Sequence, residues 1–352
     1  MATIDLAAPT RRPGHVTLRT RHVAVRLNYR VLCYALIAAG AVGLIAIWAM
    51  TLGSLSIPFL DVYRSVLGNG TEDQEYVVRT LRLPRVICAV LIGASLAMSG
   101  AIFQGLVRNP LVSPDVIGIN AGASLCAVFW IVSGQGRSLL PVAALMGALL
   151  AAAVIYLFAW KRGIAASRLI LVGIGVGAAL SAGTSYLMVR YPVESVRPAV
   201  VWTMGSIYGS NWDDVLVLLV GLLALAPFAV ALTWRLRALQ LGDDVMRGLG
   251  LALERTRLGL IVIGCGLAAV SVAIAGPIGF VALMAPHVAR MLAGPLSGSV
   301  MLFAGVLGAL FLLASDVVAQ HFLPVSLPVG AVTAAVGAPY FLFLLYRSSV
   351  RM

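Results

Sequence analysis

Leu241–Leu251 reads LGDDVMRGLGL, an acidic pair and then a single arginine, set between two long apolar runs. Asp243 and Asp244 suit a helix N-terminus, where carboxylates meet the positive end of the dipole. Val245, Met246 and Leu249 fall on one face. Arg247 lies toward the C-terminal end, and Gly250 suits the left-handed stop after a last turn. A second short helical stretch is expected over Leu251–Arg257. Exposing Val, Met and Leu outside the apolar runs makes sense if a partner's groove covers them. A plain solvated loop fits the same residues on physics alone.

Other reactive residue types give little to build an enzyme from. Cys33, Cys88, Cys126 and Cys265 lie within or beside apolar runs with no CxxC pair, so they read as small buried hydrophobes. The one lysine, Lys161, sits in AWKRG, whereas a phosphate-binding Walker loop needs GxxxxGK[ST]. This chain is therefore no P-loop ATPase. His287 in APHVAR is alone, and a lone histidine is more often a satisfied structural residue than a metal ligand. None of the thirteen Asp and Glu falls near the centre of an apolar run, and Asp316, at the end of one, comes closest. Ion-coupled carriers generally keep ionisable groups there, so their absence argues against that class, although backbone carbonyls can also bind Na⁺.

The surrounding elements are apolar helices. Hydrophobic residues make up 61% of the chain and charged ones 11%, where a soluble domain carries about a quarter charged. Val31–Met50, Val86–Leu106, Leu139–Trp160, Leu169–Met188, Val215–Trp234, Leu258–Ala275 and Val300–Ser315 are long apolar runs, near the roughly 20 residues that cross a bilayer. Val116–Val132, Ile278–Val288 and Ala331–Tyr346 are shorter or broken. The expected fold is an all-α polytopic membrane protein of about ten spans, with residues 31–352 as one domain. Residues 1–30 carry six Arg and no apolar core with a cleavage site. They read as a basic cytosolic tail, open to disorder or to lying on lipid. With that tail inside, 18 of the 25 Lys and Arg fall on the inner side, which predicts N-in, C-in. The net charge of +12 follows from this asymmetry and from anionic lipid. It does not mark nucleic-acid binding.

Small residues recur every four positions in two spans: Gly93, Ala97, Ala101 and Gly105, then Gly173, Gly177, Ser181 and Ser185. Such faces let helices approach closely in lipid, and they also leave room for a bulky solute. Gly337, Ala338 and Pro339 are expected to kink the last helix. The long segment 51–84 is expected outside, with Arg64, Arg79, Arg82 and Arg85 in or beside it. Arginines there anchor to headgroups or dock an acidic partner.

Five fragments then resemble one family in order. They are RLPRVICAVLIGASLAMSGAIFQGLVRNPLVSPDVIGINAGA (82–123), SRLILVGIGVG (167–177), LGDDVMRGLGL (241–251), AGPIGFVALMAPHVARML (275–292) and LPVGAVTAAVGAPYFLFLLYR (327–347). The chain resembles the FecCD-type permeases, the membrane subunits of ATP-binding-cassette importers for iron-siderophores and cobalamin. The resemblance implies a transport subunit of the bacterial inner membrane and not an enzyme. It binds no cofactor, and ATP and Mg²⁺ belong to a cytosolic ATPase dimer. Its other partners are a second permease copy, identical or paralogous, and an extracytoplasmic binding protein. Residues of about 239–257 become the coupling helices, with Asp243, Asp244, Val245, Met246, Arg247 and Leu249 toward the ATPase. Arg82 and Arg85 match two arginines that pair with acidic residues of the binding protein, because a guanidinium holds a carboxylate bidentately. A further basic position of some relatives reads Gln320 here, so Arg64 and Arg79 are expected to compensate. Asn109, Leu111, Ala166 and Ser167 stand where relatives form a cytoplasmic gate, and some relatives carry a hydroxyl where Ala166 stands. For Asn109, an Asn-Pro turn is an equal alternative. An iron(III)-siderophore is the expected cargo, with cobalamin or haem as alternatives and an ion-coupled secondary transporter as the reading from another class.

Overall fold

A computed structural model describes residues 15–19, 24–115, 117–136, 139–161, 163 and 166–349. His15–Arg19 (β1) and Ala24–Asn28 (β2) pair antiparallel, His15 opposite Asn28 and Arg19 opposite Ala24. The end of the basic tail thus carries a short hairpin. The other elements are helices: α1 Tyr29–Thr51, α2 Phe59–Leu67, α3 Glu72–Glu75, a π-helical stretch Tyr76–Arg82, and α4 Leu83–Val107. After these come α5 Ile119–Val132, α6 Leu140–Ala159, α7 Ala166–Arg190, α8 Val193–Thr203 and α9 Trp212–Gln240. The last five are α10 Asp243–Gly248, α11 Leu253–Ala275, α12 Val281–Ala293, α13 Gly298–His321 and α14 Val329–Ser349.

Local chemistry sets several of these ends. Asn211 caps α9 by accepting from the Asp213 and Asp214 backbone N–H groups, while Asp214 reaches back to Asn211 N at 3.0 Å. Ser297 does the same for α13 through Val300 N. Pro84 stands where the π-helical stretch passes into α4, and the chain stays helical without a break from Glu72 to Val107. The separate short helix expected over Leu251–Arg257 does not exist. Ala252 is extended, and α11 runs unbroken from Leu253 through the apolar run.

Among the described residues, seven helices are long and apolar enough to cross a membrane, and three more apolar helices are shorter. α4 is the hub: 83% of its apolar window is buried, against 11% for α1 and 17% for both α7 and α9. Its small residues explain this. Gly93 abuts the Gly308 backbone of α13, and Gly100 abuts the Ala282 carbonyl of α12, with no room at either for a Cβ. The four-residue repeat in α4 therefore serves packing, as it must in lipid, where no hydrophobic force draws helices together. Polar ties cross the same faces. Ser99 Oγ donates to Gly264 O at 2.7 Å, and Gln104 Nε2 donates to Leu283 O at 3.0 Å while its Oε1 accepts from Arg290.

The first of the three shorter apolar helices is too short to cross alone. α5, with 14 residues, is about 21 Å long against a core of about 30 Å. Irregular backbone precedes it at 108–115 and 117–118. Ile117 and Gly118 lie against Gly173 and Gly177 of α7, about 10–16 Å along that helix from its start. The chain therefore leaves α4, turns, and runs back along α7 before α5 begins. Within a membrane protein, irregular backbone is tolerated only against protein or a cavity. α14 is continuous through Pro339, and Gly337 gives space to the Phe280 ring, whose backbone is left-handed.

Candidate functional site

At one end of the bundle α10 lies between α9 and α11, bracketed by Gly242 and Gly250, both at positive φ. Its two carboxylates do different things. The Asp244 side chain is fully exposed and only 3.9 Å from exposed Arg247. Asp243 turns inward. Arg257 of α11 donates from Nη2 to both its oxygens at 2.8 and 2.9 Å, and Arg108 reaches it at 3.4 Å while also donating to Leu239 O. Arg108 is the left-handed residue that ends α4, next to Asn109. One carboxylate thus ties α10 to α11 and to the α4 terminus.

Met246, expected among the surface contacts, is fully buried in the apolar core and anchors α10 from beneath. Neighbours in a helix lie about 100° apart, and here Met246 takes the direction that meets the bundle while Val245 faces away. Val245, Arg247 and Leu249 are exposed, and so is Leu241 just before them. The exposed set is a compact apolar and basic patch on a rigidly tied helix.

The expected gate residues flank this patch. Asn109 Oδ1 accepts from Leu111 N at 2.9 Å, so Asn109 builds the turn after α4. Ser167 is exposed in the first turn of α7, beside Arg168, which donates to the carbonyls of Ala159, Lys161 and Gly163. Ala166 begins α7.

At the opposite end the arginines sort themselves in an order the sequence did not reveal. Arg85 donates from Nε and Nη2 to the two oxygens of Asp316 at 3.0 and 2.8 Å. Asp316 is only 2% exposed, and Gln320 donates to it at 2.5 Å. Gln320 thus completes a buried triad between α4 and α13. Arg82 donates to Met50 O and Leu55 O, both at 2.6 Å, and clamps the turn after α1. Of the four arginines expected to dock, Arg64 and Arg79 are the exposed ones, with loose ion pairs to Asp61 and Glu75 respectively. The two arginines expected to dock a partner are engaged within the chain, and the two expected to compensate face outward. His287 packs edge-on against Tyr340, and among the described residues no group of three His, Cys, Asp or Glu could hold a metal.

Residues 41–347 match the model of the FecCD transport family. This chain belongs to that family. A FecCD protein is a membrane permease and not an enzyme. The ferric enterobactin transport system permease FepG of Escherichia coli is 38% identical over 92% of this chain and 99% of its own length. The cobalamin import system permease BtuC of Halobacterium salinarum is 34% identical over all of this chain and 95% of its own. A metal-chelate type ABC transporter, solved facing inward, superposes with a TM-score of 0.81 at 31% identity, covering 90% of this chain and 99% of its own.

Two features of this FecCD chain escaped sequence reading. The Asp316–Gln320 spacing of four, one helical turn, was the available signal for the Arg85 triad. Asp115 sits outside the apolar runs in the sequence, and only the fold brings it beside α7.

Proposed function

We infer that this permease imports an iron(III)-siderophore across the cytoplasmic membrane of a bacterium. It works as one of two membrane copies, with a cytosolic ATPase dimer and an extracytoplasmic binding protein. Ten crossings with both ends inside fit the positive charge gathered at the α10 end. The long exposed faces of α1 and α9 suit lipid.

The observation that carries the mechanism is α10 itself. It is held by buried Met246 and by the Asp243–Arg257 ion pair, yet presents Val245, Arg247 and Leu249. ATP-driven closure of the motor displaces α10 as a rigid piece. Asp243 passes that displacement to Arg257 in α11 and to Arg108 at the end of α4. Arg108 is joined to Asn109 and Leu111, so the shift arrives at the inner mouth of the path. No bond is made or broken in this chain. ATP hydrolysis belongs to the partner, and the permease converts it into opening and closing. Outside, the exposed Arg64 and Arg79 offer charge to acidic groups of the binding protein.

The cargo follows the ferric enterobactin relative. Cobalamin is the second reading, favoured by the cobalamin permease that aligns along the whole chain. Uptake of radioiron-siderophore and labelled cobalamin in a strain lacking this gene decides between them. Iron uptake should fall at least 10-fold while cobalamin uptake holds, and import should survive a protonophore while ATP is maintained. Loss of cobalamin uptake alone would replace the cargo, and collapse under the protonophore would overturn the ATP-driven mechanism.

A further inference from the structure

Asp115 stands in the irregular stretch between α4 and α5, and its carboxylate accepts from the Asn120 side-chain amide and from Ser113 Oγ at 3.5 Å. A cavity of about 380 Å³ opens beside it, lined by Ser124, Ser181, Thr184 and Ser185 and also by Ala121 and Met188. Ser181 and Ser185 are exposed toward it, and the Asn120 Oδ1 acceptor is buried without a partner. Ser181 and Ser185 lie about 22–28 Å along α7 from its start, at 1.5 Å per residue. The cavity therefore sits at or beyond the midpoint of α7, and an acid beside a spanning helix is costly and generally marks a solute or ion route.

The small-residue face of α7 divides here. Gly173 and Gly177 are filled by the backbone of Ile117 and Gly118, and that contact brings Asp115 beside α7. One turn further the same face carries Ser181 and Ser185, and it opens. Asp115 is the one ionisable group among the lining residues, and the serine hydroxyls beside it can accept or donate. Its carboxylate favours positive charge and N–H or O–H donors and disfavours anions.

We propose that this cavity is a contact site for cargo in transit, and that Asp115 gives it a preference for cationic or donor-rich solutes. The identity of the cargo rests on the function proposed above, and the test keeps the two apart. In the assembled transporter, with the four native cysteines replaced, Ser185→Cys is reacted with cationic and anionic methanethiosulfonates. Asp115→Asn should lower the cation-to-anion rate ratio about 10-fold, the scale of one nearby charge in a partly hydrated site. Asp115→Glu should restore it. An unchanged ratio, or no reaction with either reagent, would overturn the proposal. Uptake gives a second readout: Asp115→Asn should slow a cationic ferric trihydroxamate about 10-fold more than a neutral one. Equal loss of both would make Asp115 a folding residue only. If the wild type carries no ferric chelate, the cargo assignment fails while the thiol ratio still decides the site.

Discussion

Arg85 and Asp316 show how one buried pair changes what a mutation means. Asp316 is nearly inaccessible, and Arg85 and Gln320 supply its hydrogen bonds. Removing one member of such a pair leaves an uncompensated charge and costs about 3–5 kcal/mol. Arg85→Ala should therefore reduce membrane abundance and thermal stability before it affects docking. Exchanging both, Arg85→Met with Asp316→Leu, should recover much of the stability, read as the detergent-solubilised melting temperature. Full abundance with lost uptake in Arg85→Ala would instead return Arg85 to the docking surface. Arg64 and Arg79, exposed and loosely paired, are the places where charge reversal should weaken binding-protein association at normal abundance.

A short helix such as α10 has little stability of its own, so its use as a lever depends on what holds it. Asp243 and Asp244 are adjacent, yet one is clamped by Arg257 and the other is fully exposed. Asp243→Asn should leave the ATPase bound and hydrolysing but cut uptake about 10-fold or more, because the push no longer reaches α4 and α11. Asp244→Asn should be nearly silent. Arg247→Glu should do the reverse of Asp243→Asn and lose the ATPase on co-purification. The measurement is ATP hydrolysed per cargo moved, beside subunit recovery. Equal hydrolysis-to-transport ratios in Asp243→Asn and wild type would remove the relay.

At the scale of the whole molecule, charge predicts the orientation and packing predicts what surrounds it. α4 is enclosed by α9, α11, α12 and α13 and turns almost nothing outward. α7 meets mainly α5 and α6. Its other side, with Leu171, Ile174 and Tyr186 exposed, is free for a second copy or for the path. Single cysteines at 245 and 73, in a background without native thiols, should react with impermeant reagent from the inside and from the outside respectively. The opposite pattern would invert the topology and place α10 away from any cytosolic motor.

Much of this was legible in residue order. Apolar run length marked out the helices, because a backbone in lipid has few other ways to satisfy its hydrogen bonds. Five ordered fragments carried the family, and LGDDVMRGLGL located α10 to within a residue or two, since its glycines and acidic pair bound a helix locally. The tertiary structure decided which side each residue faces. It buried Met246 and exposed Val245, separated Asp243 from Asp244, and turned Arg85 toward an acid 231 positions away. It also raised Asp115 into the bundle through Ile117 and Gly118 lying on Gly173 and Gly177. Hydropathy is a sum over neighbours in the chain, whereas pairing and depth depend on neighbours in space.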